Sequence, residues 1–189
     1  MNPLPRVCIQ SHDFDLSAEV AALRAGDGGV GAVTSFVGTV RDRNANPAGQ
    51  AGAATESVSA MELEHYPGMT ERAIELMIDE AFTRFDLRGA RVIHRVGLLQ
   101  PQDQIVLVVV SSAHRGESFK GCEFLMDYLK TQAPFWKKET TPEGARWVDA
   151  RVADDQALAR WGLTGQNIGS GSGLVPALMA VPASRTPAG

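Results

Sequence analysis

Residues 105–110 read Ile-Val-Leu-Val-Val-Val, an apolar run dominated by β-branched side chains. It is far too short to span a membrane, and its composition favours a strand over a helix. A strand that is apolar throughout has no face for water, so it belongs in the centre of its sheet. Whatever this chain folds into must bury that strand.

The neighbouring segments supply the rest of the domain. Residues 7–10 make a short apolar start, and in residues 15–24 Leu16, Val20 and Leu23 recur at helical spacing behind a cap at Asp15 or Ser17. Residues 32–40 alternate as a half-buried strand, and residues 61–66 form another. Pro67-Gly68 then turns the chain into a helix over 69–85, with Ile74, Ile78, Ala81 and Phe85 on one face and Arg72, Glu75 and Asp79 on the other. Strands follow at 90–99 and 104–112, joined by a turn at 101–103. The spacing of Phe119, Cys122, Met126 and Leu129 gives a second long helix over 116–131, stopped by Pro134. Residues 135–139 and 146–150 read as strands around a turn at 142–144. This order predicts an α+β domain with a mainly antiparallel sheet and two long helices.

Two stretches stand apart. Residues 42–59 are rich in Ala, Gly, Asn and Ser without periodicity, which predicts a long flexible loop. Beyond Trp161 the chain turns to Gly, Ser, Pro and Ala, so a domain over 1–162 is expected with a flexible tail over 163–189.

Several function classes fall away. A formal charge of −4 gives no attraction for nucleic acid as a whole, and no 18 apolar residues run together as a membrane span would require. Two cysteines and no secretory leader pattern point to a cytoplasmic protein without a disulfide scaffold. Gly26-x-Gly28-x-x-Gly31 matches a dinucleotide-binding pattern by letter, but a helix precedes it and a strand follows, the reverse of what that motif needs. Glu62, Glu64 and His65 do not converge, because on a strand His65 faces away from the two glutamates. They read as a solvated or interface-facing strand edge, and no metal site is expected. Cys122 lies among Phe119 and Met126 as buried packing, and Cys8 has only Arg6 as a basic neighbour. Neither suits a nucleophile.

What remains is a basic set: Arg41 and Arg43 after a strand, His114 and Arg115 at the start of a helix, Lys130 at its end, and Lys137 and Lys138 beyond. Arginines at a helix N-terminus hold phosphate, and lysines supply point charge and proton transfer. Against that stands ordinary surface, with Lys130 complementing the negative helix end and Lys137 and Lys138 solvated. Spacing adds one constraint. Fifteen residues of helix place His114 and Arg115 more than about 20 Å from Lys130. Either the two groups serve different sites, or a second copy of the chain brings its His114 and Arg115 to the first, the arrangement this spacing favours.

Four segments carry a resemblance: residues 36–41 (Phe-Val-Gly-Thr-Val-Arg), 63–69 (Leu-Glu-His-Tyr-Pro-Gly-Met), 111–115 (Ser-Ser-Ala-His-Arg) and 128–139 (Tyr-Leu-Lys-Thr-Gln-Ala-Pro-Phe-Trp-Lys-Lys-Glu). Together, in order over residues 6–161, they closely resemble the catalytic (large) subunits of the molybdopterin synthase family. The resemblance implies an α/β hammerhead-type fold and a homodimer within a heterotetramer, with a ubiquitin-like small subunit at each outer end. It implies a sulfurtransferase of molybdenum-cofactor biosynthesis. The small subunit's C-terminal thiocarboxylate would give sulfur to cyclic pyranopterin monophosphate, forming the molybdopterin dithiolene, and no cofactor would be needed.

By position the resemblance makes Lys130 and Lys137 catalytic. It makes Arg41, His114 and Arg115 substrate-binding, with Thr39 and Val40 beside Arg41 and Lys138 and Glu139 beside Lys137. Lys130 would sit by the thiocarboxylate carbonyl and stabilise its developing oxyanion, and Lys137 would serve as acid and base, steered by a carboxylate. Phe36 and Met126 are candidate pocket walls, with a core role open for both. A binding module that docks the same partner without turnover, and an independent phosphate-ester hydrolase, are the competing readings. The retained lysines and arginines speak against the first, and the lack of a metal set or a nucleophile–base pair against the second.

Overall fold

A computed structural model of the chain describes residues 5–42, 57–142, 144–148 and 160–162. In chain order the elements are β1 (Val7–Gln10), α1 (Leu16–Arg24), β2 (Ala32–Thr39), β3 (Ala60–His65), α2 (Met69–Arg84), β4 (Leu87–Arg95), β5 (Gly97–Leu99), β6 (Gln104–Ser112), α3 (Arg115–Gln132), β7 (Phe135–Thr141) and β8 (Gly144–Val148). They form two four-stranded sheets, β1-β4-β6-β2 and β5-β3-β7-β8. Only the β1–β4 pairing is parallel among the described ladders. The class is α+β with mainly antiparallel sheets, as expected.

The 105–110 run lies in β6, paired with β4 on one side and β2 on the other. Its alternation divides the core. Val106, Val108 and Val110 pack with Ile74, Ile78, Phe124 and Leu125 beneath α2 and α3, while Leu107 and Val109 meet Phe14, Leu16, Val20 and Leu23 on the α1 side. Asp15, not Ser17, caps α1, its carboxylate accepting from the Ala18 N–H at 3.0 Å. Gly31 approaches the β6–α3 connection so closely that a Cβ there would stand 2.3 Å from the Ala113 carbonyl oxygen. That is a packing reason for one glycine of the discarded nucleotide pattern.

Three expectations change. Residues 90–99 are not one strand: β4 ends at Arg95, and Gly97, with φ +87°, swings β5 into the second sheet against Leu63. β3 is no sheet edge, since β5 and β7 flank it. Phe119 does not join the buried face of α3. It is 60% exposed, while Phe124, Leu125, Tyr128 and Leu129 fill the core.

Of the predicted loop over 42–59, residues 43–56 lie outside the described residues, as do Arg43 and the tail over 163–189. At the loop's ends, the Val58 N–H donates to the Asp42 carbonyl at 2.8 Å and the Val58 side chain is buried.

Trp161 returns to the body of the fold, its ring edge-on to Phe85 and Phe124 with centroids 5.7 and 5.5 Å away.

Candidate active site

α3 leaves the end of β6 and runs back along the sheet beside β2. Ala32 pairs with Ser112 and Thr39 with Gln104, and the Thr34 hydroxyl donates to that of Ser118. β2 and α3 therefore point the same way. Arg41 and Lys130 lie toward one end of this layer, and His114 and Arg115 lie at the other, separated by the eight residues of β2, about 26 Å. One chain does not bring these two groups together.

At the Arg41 end a β-bulge between Gly38 and Thr39 breaks the register with β6. Thr39 and Arg41 are exposed, while Val40 between them is 2% exposed and packs with Met61, Leu63 and Leu99. The Val40 N–H donates to the Asp103 carbonyl and its own carbonyl accepts from the Gln102 N–H. With side chain and backbone both engaged, Val40 anchors Arg41 and offers a ligand nothing itself.

An open cleft of about 360 Å³ lies between β2 and α3. Thr34, Ser35 and Phe36 form its β2 wall, and Phe119, Cys122, Met126 and Lys130 its α3 wall, with Glu123 and Asp127 on the same helix. Phe36 and Met126, singled out from the sequence as pocket walls, thus share a cleft with Lys130. Glu123, Asp127 and Phe119 were not singled out, although Glu123, Asp127 and Lys130 stand at i, i+4 and i+7, the spacing of one helix face.

β7 starts just beyond α3, and alternation along it separates its charged residues. Lys137 and Glu139 share a face, with Nζ 2.6 Å from Oε1 and Glu139 only 1% exposed. Lys138 takes the other face, 3.6 Å from Glu62, its cross-strand partner. The structure thus gives Lys137 its carboxylate and sets Lys138 apart from that pair. Among the described residues the side chains of Arg41, His114, Arg115 and Lys130 have no ion pair or hydrogen bond. Arg6, Arg84, Arg88, Arg91 and Arg95 are all paired with carboxylates. His114 sits at the N-cap of α3 without using its ring as the cap.

Thiol chemistry finds no support at Cys122, which is 4% exposed and whose pKa burial pushes up to about 11. No group of three or more His, Cys, Asp or Glu among the described residues is arranged to hold a metal, and no helix there is long and apolar enough to cross a membrane.

One histidine outside the cleft carries a prediction. His94 stacks on Phe135 with centroids 3.8 Å apart, its Nδ1 lies 2.8 Å from the Arg95 carbonyl oxygen, and burial lowers its pKa to about 4. The unfolded chain binds this proton below about pH 6.5 while the native chain refuses it. The stability from the neutral ring is therefore complete above pH 6.5 and declines as pH falls toward 4. Urea unfolding is expected to show about 2 kcal/mol lost from this group between pH 7.5 and 5, a loss that His94→Phe removes. Equal losses in both proteins would exclude His94 as the source.

Fold and site define an α+β protein of three helices and two sheets with a cation-bearing cleft. Residues 9–132 match the family model described as MoaE protein. The chain is 60% identical over 164 residues to the molybdopterin synthase catalytic subunit of Ralstonia nicotianae, covering 87% of this chain and 88% of that one. It superposes on the molybdopterin biosynthesis MoaE protein from Burkholderia ambifaria with a TM-score of 0.70 at 56% identity, covering 85% of this chain and 99% of the other. A chain from the protein–protein complex of subunits 1 and 2 of molybdopterin-converting factor from Helicobacter pylori shares the fold, with a TM-score of 0.59 at 18% identity over 77% of this chain and 91% of that one. The chain belongs to the MoaE family of molybdopterin synthase catalytic subunits.

Proposed function

We propose that this chain transfers sulfur from the C-terminal thiocarboxylate of a ubiquitin-like small subunit to cyclic pyranopterin monophosphate, building the molybdopterin dithiolene in two transfers. Membership of the family makes it an enzyme of molybdenum-cofactor biosynthesis. The donor, the acceptor and the assembly are the parts proposed. A small-subunit partner accords with the Helicobacter pylori relative in fold, which stands in a complex of two subunits. The proposed assembly is a homodimer of this chain within a heterotetramer in the cytoplasm, working without a cofactor.

The observation that carries the reading is Lys130, a cation without a counter-ion among the described residues, on a cleft walled by Phe36 and Met126. A thiocarboxylate that ends as a carboxylate must exchange sulfur for a water oxygen at its carbonyl, through a tetrahedral oxyanion. An ammonium poised there stabilises that charge. Lys137, held by Glu139, is placed to move protons as the pterin ring opens. Arg41, with Thr39 beside it, and His114 with Arg115 contribute donors for the phosphate. Since sulfur arrives with the partner, the inert Cys122 thiol is no obstacle.

The test is conversion of cyclic pyranopterin monophosphate to molybdopterin by the full chain with a thiocarboxylated small subunit, against a carboxylate control. Product with the thiocarboxylate alone is expected. A stable complex that yields no product would leave a binding module in place of an enzyme.

A further inference from the structure

We propose that Arg160 and Trp161 are positioning residues for Lys130, holding the two carboxylates beside it so that its ammonium stays turned to the cleft. Asp127 and Lys130 stand three residues apart on α3, a spacing at which opposite charges pair on a helix surface. They do not pair here, because Asp127 is already engaged. Its Oδ2 accepts from Arg160 Nη2 at 2.8 Å and from Trp161 Nε1 at 2.9 Å. The other arm of the same guanidinium reaches Glu123, one turn back, with Nη1 3.0 Å from Oε1. One planar fork thus spans both acidic groups of the cleft, a geometry that suits arginine and not lysine.

The clasp is anchored from behind. The Trp161 ring rests against Phe85 and Phe124, and Arg84 Nη1 donates to the Trp161 carbonyl at 2.8 Å. Asp127, with its side chain 13% exposed, is the better shielded of the two carboxylates, so its pairing is the less screened by water. Across the cleft Thr34, Ser35 and Phe36 carry no charge, so among the described residues of the cleft the acidic groups beside Lys130 are Glu123 and Asp127, both held by Arg160. Without Arg160, two carboxylates would compete for the lysine and draw it along the helix away from the cleft.

This inference rests on Lys130 acting at the partner's tail, so the test separates the two ideas. In full-length chain carrying 13C-labelled lysine, the Lys130 signal is assigned by its loss in Lys130→Arg and its chemical shift is compared in the parent and in Arg160→Gln. The signal is expected to move in Arg160→Gln as the ammonium pairs with the released carboxylates, and to return toward its parental position when Asp127→Asn is added. With the thiocarboxylated partner, kcat is expected to fall about threefold at unchanged KM, because the ammonium is drawn from the reacting carbonyl, and to recover when Asp127→Asn is added. Trp161→Phe, which keeps the ring packing and loses the donor to Asp127, is expected to show a smaller shift in the same direction and substitutes if Arg160→Gln misfolds. An unmoved Lys130 signal, or a kcat loss that Asp127→Asn leaves in place, would overturn the clasp. An active Lys130→Ala enzyme would instead remove the role of Lys130 and leave the spectroscopic result standing.

Discussion

Lys130→Ala is expected to lower molybdopterin formation by at least about a hundredfold, the scale on which a positioned proton donor or oxyanion partner contributes. Thermal stability and small-subunit binding should stay near parental values. Lys130 is exposed and makes no ion pair or hydrogen bond among the described residues, so its removal leaves no buried charge behind. Lys137 would be a poorer probe, because its ammonium is paired with the buried Glu139 and its loss would disturb structure and chemistry together. Single-turnover conversion with thiocarboxylated partner, alongside a melting curve and a binding isotherm, checks the expectation. Turnover within tenfold of the parent would take Lys130 out of the chemistry.

Much of this arrangement was legible in the sequence because it depends on periodicity and local chemistry. The run at 105–110 placed β6 in the sheet centre, and Ile74, Ile78 and Ala81 gave the buried face of α2. Asp15 was one of two caps offered, and only its carboxylate reaches the Ala18 N–H. What failed depends on tertiary context. Nothing in the apolar pattern over 90–99 says that the chain changes sheets at Gly97, because a strand reads the same whichever sheet receives it. Phe119 fits the helical spacing of Cys122 and Met126, yet α3 rolls so that its ring faces the cleft and not the core.

Within the site, alternation along a strand separates Lys138 from Lys137 and Glu139, an outcome open to sequence reasoning once β7 is placed. Val40 illustrates the opposite case: next to Arg41 in sequence, it is buried by a second sheet the sequence could not position. The clasp formed by Arg160 and Trp161 lies some thirty residues beyond Asp127, and no local signal connects them.

At pterin concentrations well below saturation, mixed dimers of Lys130→Ala and Arg115→Ala chains are expected to regain activity that neither variant has alone. Within one chain, Arg115 opens α3 and Lys130 closes it, and β2 carries Arg41 toward the Lys130 end. Some 20 Å of helix between Arg115 and Lys130 exceeds what a pterin phosphate spans. If a site draws Lys130 and Arg41 from one protomer and His114 and Arg115 from the other, a mixed dimer holds one site with both lesions and one with neither. A pure preparation of mixed dimers has one intact site of every two, so recovery should approach about half of parental activity. Arg115→Ala alone should act chiefly through weaker pterin binding, since a phosphate-holding guanidinium contributes to ground state and transition state alike. Co-expression with two affinity tags, purification of doubly tagged dimers and assay with thiocarboxylated partner provide the measurement. Verified mixed dimers no more active than either parent variant would confine each site to one protomer and require His114 and Arg115 to serve a second, separate anion.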